Sequence, residues 1–350
     1  MCTSQICIRD ETRALAEIST ACMQKVARSS LKESGNCCAA LYDDLTTDPH
    51  GYTMRTLLLA HGSALSNLPL FVAIDAGILA ARGIQAEAPE LAEFKSTAAL
   101  LRTGAASIGT TGFTQALVDH ALPDPLRIVA GSGKLGMALV GQAGLDVRRL
   151  RGQRVGTFAD DPMEALLFDA LRMHGVGMDE VECVRFPKLD DAVSDLRTGG
   201  IAALTVVEPW ISRFQAQGFD VLCDGLEAWG GEYPDTVLVA RASFLAEQPD
   251  VVREVIECML DAQALIERDP RAAARASAHR WPAFSHDELM AGIARQPPAV
   301  DIRPLAPSVL ARAPTLEALG RMHITSRLPE ILATNLLDEL LDLRHAASGQ

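Results

Sequence analysis

Two neighbouring acids, Asp160 and Asp161, stand directly before Pro162 and a helical apolar pattern. Carboxylates at a helix start suit the positive end of the helix dipole and can cap its free N–H groups. Facing a cleft, the same pair would repel an oxyanion and attract a cation or amine. Two readings stay open: Asp160 as N-cap ahead of Pro162, or the acids as a ligand contact. Ser66 and Asn67 form a second polar stop, before Pro69, a residue suited to a first helical turn. They are either ordinary turn formers or donors to a ligand, since loops at strand ends line clefts in α/β folds. Ser96 and Thr97 can cap a helix or face that cleft. Thr110, Thr111 and Phe113 follow an apolar run, where Phe113 serves either as core or as a stacking surface for a flat ligand. Ser132, Gly133 and Lys134 end another such run, and Glu208-Pro209-Trp210 breaks a third. The chain has only three Trp and three Tyr, so Trp210 and Tyr233 beside expected loops stand out. The candidate ligand contacts are therefore Ser66, Asn67, Ser96, Thr97, Thr110, Thr111, Phe113, Ser132, Asp160, Asp161, Glu208, Trp210 and Tyr233. Trp210 is expected to matter most.

Covalent and metal chemistry are less well supplied. There is no Gly-x-Ser-x-Gly elbow, and His61 and His120 are isolated, so no catalytic residue is assigned. Eight cysteines are present, five of them in the first 53 residues, without any C-x-x-C pair. The vicinal Cys37-Cys38 can bind a soft metal or act as a redox pair, or be plain reduced thiols. No cofactor is expected.

Elements that could position these residues come as a repeat. Leu-Arg-Thr-Gly occurs at 101–104 and again at 196–199. Each copy ends a helical pattern with glycine and leads into a short apolar run, Ala105–Gly109 or Ile201–Val207, that breaks in a polar turn. The spacing is too long for a solenoid and suits two similar α/β lobes with a cleft between them. Further strands are expected at Thr56–Ala60, Arg127–Ala130, Arg154–Thr157, Glu182–Arg185 and Val237–Ala240. Helices are expected at Pro69–Ala81, Asp161–His174 and Asp190–Arg197. Beyond Ser243 the chain reads as helical, with Pro249–Arg268 and a Leu-rich Leu328–Leu343. Residues 1–53 differ in composition and read as an appended Cys-rich extension of unknown role. Lobe 1 is expected over 54–142 plus about 238–350, and lobe 2 over 143–237.

Composition excludes several classes. The net charge of −13 leaves no basic stripe to release counterions, so a nucleic-acid partner is not expected. No apolar run reaches the roughly 18 residues of a membrane span. The N-terminus lacks the basic start and apolar stretch of a secretory signal. As written the chain reads as cytoplasmic; a misassigned N-terminus would allow the periplasm.

The segment around Pro69, Phe71, Ala73, Gly77, Gly83 and Ile84 resembles the opening of type II periplasmic solute-binding proteins of the NMT1/THI5-like and nitrate/sulfonate/taurine (SsuA-like) group. Leu100–Gly104, Ser107-Ile108-Gly109, Ile128–Gly131, Leu150–Gly156 and Glu208-Pro209-Trp210 resemble later family steps in the same order, over roughly 54–290. The resemblance implies an α/β fold of two Rossmann-like lobes with a ligand cleft and a helical C-terminal part. It also implies capture of a small organic molecule by lobe closure, and an ABC permease as partner. The alternative on the same scaffold is a cytosolic enzyme, a relative of thiamine-pyrimidine synthases, desulfinases or dehydratases, or a ligand sensor. Members that bind oxyanions usually carry a Gly/Ser/Thr turn where this chain has Phe158-Ala159-Asp160-Asp161-Pro162, so sulfonate is not the expected ligand.

Overall fold

Glycine stops shape both copies of the repeated unit. In the computed structural model the helix Phe94–Thr103 ends at Gly104 (φ +75°) and Leu189–Thr198 ends at Gly199 (φ +76°). Only glycine takes that left-handed conformation without a Cβ penalty. A buried strand follows each stop. The structure describes residues 45–47, 53–89 and 94–348. The extension expected over 1–53, with Cys37 and Cys38, lies outside the described residues apart from Leu45–Thr47 and Thr53.

Eleven strands are described: β1 (Leu45–Thr47), β2 (Thr53–Ala60), β3 (Ile84–Glu87), β4 (Ile108–Gly112), β5 (Leu126–Lys134), β6 (Met137–Gly141), β7 (Arg154–Thr157), β8 (Glu182–Arg185), β9 (Ala203–Val207), β10 (Asp220–Asp224) and β11 (Pro234–Arg241). The first sheet runs β1-β2-β4-β11-β5 with β3 also paired to β2, and the second runs β10-β6-β9-β7-β8. The βα steps read from the sequence are the parallel pairs, β2 with β3 and β4, and β7 with β8 and β9. β11 runs antiparallel between β4 and β5, and β6 antiparallel between β9 and β10. Both sheets are thus mixed, inside an α/β architecture of two lobes. The chain crosses from the first sheet to the second at Leu135-Gly136 and returns between β10 and β11. Met137–Gly141, which the expected boundary at 142 would put with lobe 1, pairs in the second sheet. Pro234–Val237 begins in the first.

Strands β9 and β5 are buried along nearly their whole length. That explains their continuous apolar runs, because helices cover both faces of such sheets. The core of the first sheet joins Leu57, Leu59, Ile108, Val129, Val237 and Val239, and a smaller cluster in the second lobe joins Leu139, Val155, Leu167, Leu171 and Ala203.

The C-terminal part is helical, as expected. Pro249–Arg268 matches the range read from the sequence. The expected Leu328–Leu343 helix is instead a single 3-10 turn, Leu328–Ile331, and a helix from Asn335. That last helix packs on Pro249–Arg268, burying Leu337 and Leu340, with Arg344 paired to Asp261 at 2.6 Å. Between them the chain reaches the second lobe. Arg312 and Thr315 bond Asp169, and Arg321 bonds Glu164.

Candidate functional site

The carboxyl ends of the parallel strands meet at one cavity of about 100 Å³. From the first lobe come Gly62, Ser63, Ala64 and Asn67 after β2, Thr97 of the helix Phe94–Thr103, Thr111 and Gly112 ending β4, and Asp235 and Thr236 starting β11. From the second come Asp161 and Met163 after β7, Leu189 after β8, and Val207 ending β9. Strand-end loops at a sheet switch point are where α/β folds place ligands. The two lobes touch beside this cavity. Thr114 Oγ1 donates to the Asp160 carbonyl at 2.9 Å. A Cβ on Gly112 would lie 2.5 Å from Pro162 Cδ.

Four of the expected contacts, Asn67, Thr97, Thr111 and Asp161, line the cavity. The Asn67 amide donates from Nδ2 to the carbonyls of Gly62 (3.2 Å) and Ala64 (3.0 Å). That fixes its orientation and leaves the buried Oδ1 without a partner. Thr97 Oγ1 donates to the His61 carbonyl at 2.9 Å. Asp161, rather than Asp160, is the N-cap of the helix Pro162–Met173, accepting the Met163 N–H at 3.0 Å.

Eight of the other expected contacts do not line it. Asp160 takes a left-handed φ of +65°; its own N–H donates to Glu164 at 3.1 Å, and its carboxylate lies 3.4 Å from Arg321. Ser66 bonds Thr236 through its hydroxyl, and Ser132 Oγ donates to the Ser66 carbonyl at 2.7 Å, so both side chains are consumed inside the fold. Thr110 is buried with its hydroxyl unpartnered. Phe113 is core, edge-on to Trp229 at 6.1 Å. Trp210 packs on Phe214 (5.8 Å) and Phe284 (5.0 Å), flanked by Arg197 and Arg213. Glu208 and Tyr233 line a separate hollow of about 420 Å³. There Glu208 accepts from Ser212, with burial pushing its carboxyl up, and Tyr233 donates to the Met137 carbonyl at 3.3 Å. The side chain of Ser96 lies outside the described residues.

Asp235 was not singled out in the sequence, although it lines the cavity. It sits at the mouth of an apolar strand beside Thr236, whose register partner is Gly112 of β4. Gln296 Nε2 donates to it at 2.7 Å. Burial pushes the Asp235 carboxyl up to about 6, with hydrogen bonds from Ser66 and Gln296 opposing. Burial pushes Asp161 up to about 8; the Met163 N–H opposes this, and the negative charges of Asp235, Glu164 and Asp160 add to it. Glu164, next door and fully buried, behaves oppositely. Burial would raise it, but hydrogen bonds from Arg321 and Arg185 hold it below the usual carboxylate range.

Residues 66–273 match the family model described as NMT1/THI5 like. Among solved structures, the chain is similar to the alkanesulfonate-binding protein SsuA from Xanthomonas axonopodis pv. citri bound to MOPS. The identity is 18%, covering 80% of this chain and 98% of that one, with a TM-score of 0.68. The periplasmic nitrate-binding protein NrtA from Synechocystis PCC 6803 matches at 13% identity over 83% and 89%, TM-score 0.71. A DSZB mutant in complex with biphenyl-2-sulfinic acid matches at 18% identity over 82% and 99%, TM-score 0.60. No curated protein matches the sequence. At these identities the solved structures establish the shared two-lobed fold.

Proposed function

The chain belongs to the NMT1/THI5-like family, and from that membership we propose that it is a solute-binding protein. It captures a small organic molecule between its two lobes and presents it to an ABC permease. The observation that carries this reading is the cavity itself, closed by residues of both lobes at the strand ends. Its contacts are Asn67, Thr97, Thr111, Asp161, Asp235 and Thr236. A cavity of roughly 150 Å³ holds benzene, so one of about 100 Å³ suits a ligand, or the recognised end of one, of about four to six heavy atoms. Among the described residues the lining includes no cysteine, histidine, lysine or arginine, which favours capture over covalent catalysis at this cavity. Work on the periplasmic side goes with a permease partner. Among the described residues no helix is long and apolar enough to cross a membrane.

The test is to identify by native mass spectrometry the small molecule retained by protein purified from its own cells, then add it back to stripped protein. Closure predicts a smaller radius of gyration in solution scattering. It also predicts stabilisation of about 2.7 kcal/mol at a hundredfold excess over Kd. A molecule that binds tightly while leaving both unchanged would refute capture by closure.

A further inference from the structure

Buried acids in this protein come in two kinds. Those away from the cavity are matched by cations. Glu164 lies between Arg185 and Arg321, each within 2.6 Å, and Asp169 accepts from Arg172, Arg312, Thr315 and Trp229 at about 3 Å. Of the acids that line the cavity, Asp235 is buried and Asp161 half-buried, and neither makes an ion pair among the described residues. Asp161 accepts one backbone N–H, and Asp235, only 4% exposed, accepts neutral donors. They come from opposite lobes, and the Asp235 charge pushes the Asp161 carboxyl up. A third acceptor joins them. Asn67 is 1% exposed and lines the same cavity, its Oδ1 unpartnered while its amide N–H groups are spent on backbone carbonyls. A buried charge without a partner is costly, as is a buried acceptor without a donor.

We propose that the solute is a small organic cation bearing several N–H donors, of the ammonium, amidinium or guanidinium class, held between Asp161 and Asp235 with Asn67 Oδ1 as a third acceptor. This rests on the capture reading and names the chemistry of the same cavity. An anion of equal size would meet two carboxyl groups and an amide oxygen, with no cationic side chain among the described residues that line the wall. The acids are also poised to respond. Asp161 faces Asp160 and Glu164 on its own stretch and Asp235 across the cavity, while the nearby cations Arg185 and Arg321 are engaged by Glu164. Asp235 faces Ser66 and Gln296, and its charge reaches Asp161 across the cavity. With carboxyls at about 8 and about 6, a cation arriving near neutral pH displaces a proton from Asp161.

The experiment measures thermal stabilisation and calorimetric binding for methylammonium, acetamidinium and methylguanidinium. Acetate, nitrate and methanesulfonate serve as anions at matched ionic strength. The expected result is stabilisation by at least one cation and by none of the anions. Heats should differ between buffers of unlike ionisation enthalpy, reporting proton release. Affinity should fall on the order of tenfold or more in Asp235→Asn and in Asp161→Asn; the second change keeps a good N-cap, so the helix start survives. Stabilisation by an anion and by no cation overturns the cation assignment and leaves capture standing. Stabilisation by neither class at millimolar concentration overturns capture of a small solute at this cavity. Undiminished cation binding in both variants overturns the assignment of the two acids.

Discussion

Replacing Asp235 with asparagine should make the ligand-free protein more stable at alkaline pH and leave it unchanged at acid pH. In the folded protein this carboxyl is raised from 3.8 to about 6, with burial as the largest cause. A raised acid favours the protonated folded state. Its stability contribution is complete below the unfolded value near pH 4 and is lost as pH rises through about 6. Each pH unit in that window is worth about 1.4 kcal/mol, so the parent gives up about 3 kcal/mol by pH 8 and the variant does not. Asparagine keeps an oxygen to accept from Gln296 Nε2, which now bonds at 2.7 Å, so the low-pH baseline should hold. Removing the charge also relieves Asp161, which Asp235 pushes upward, and that adds in the same direction. For a folded unit of this size, 3 kcal/mol corresponds to about 5 °C in Tm. The assay is thermal and urea unfolding of both proteins between about pH 4 and about pH 8, free of amines. A difference that stays constant across that range would refute an ionising, desolvated Asp235 in the cavity.

Gly112→Val should hold the lobes apart, because its Cβ would lie 2.5 Å from Pro162 Cδ while the backbone φ of −55° suits any residue. Scattering should show an expanded protein with a normal melting curve and lost affinity; parent-like affinity would show that the contact is not needed for closure. Trp210→Ala should cost about 2–3 kcal/mol of stability through its lost packing on Phe214 and Phe284, and leave affinity intact; calorimetry showing the reverse would return Trp210 to the ligand. A chain starting at Leu45, where one compact unit begins, should unfold in a single transition. One starting at Met54 loses the β1 pairing of Leu45 with Arg55 and should melt lower; equal melting of the two would show that β1 adds nothing.

What the sequence made legible was whatever local chemistry decides. Gly104 and Gly199 mark helix ends because their left-handed φ is a local demand, and Arg154–Thr157 and Glu182–Arg185 read as strands because each is a short apolar-bearing run between turns. Met137–Gly141 and Asp220–Asp224 were missed. They are five-residue antiparallel strands whose identity depends on partners far along the chain. Of the side chains expected at a cleft, Asn67, Thr97, Thr111 and Asp161 line the cavity, while the loops that carry most of the others were legible and the side-chain directions were not. Phe113 and Trp210 follow strand ends as ligand contacts would, but each starts a helix at once; there Phe113 is buried in the core and half-buried Trp210 packs against it. Ser66, in the 3-10 turn Leu65–Asn67, and Ser132, near the end of β5, are polar residues whose bonds close on each other and on Thr236. Asp235 is the reverse case. An acid after Tyr233-Pro234 reads as a turn residue until the pairing of Thr236 with Gly112 sets it against the opposite lobe.

The same local features explain how one scaffold can change the sign of what it holds. A helix start offers unbonded N–H groups and a positive dipole end, a ready seat for an anion. At Pro162–Met173 that seat is occupied from within. Asp161 accepts the Met163 N–H at 3.0 Å, Glu164 accepts the Asp160 N–H at 3.1 Å, and Pro162 brings no N–H at all. The left-handed turn at Asp160 makes this possible, directing its N–H to Glu164 while Asp161 remains at the cavity. With the dipole end already answered by protein carboxylates, an incoming anion gains little there and meets two acids. A cation gains both acids and the Asn67 oxygen. The charge preference of the cleft therefore turns on the two positions before Pro162 and on Asp235, not on the sheets that carry them.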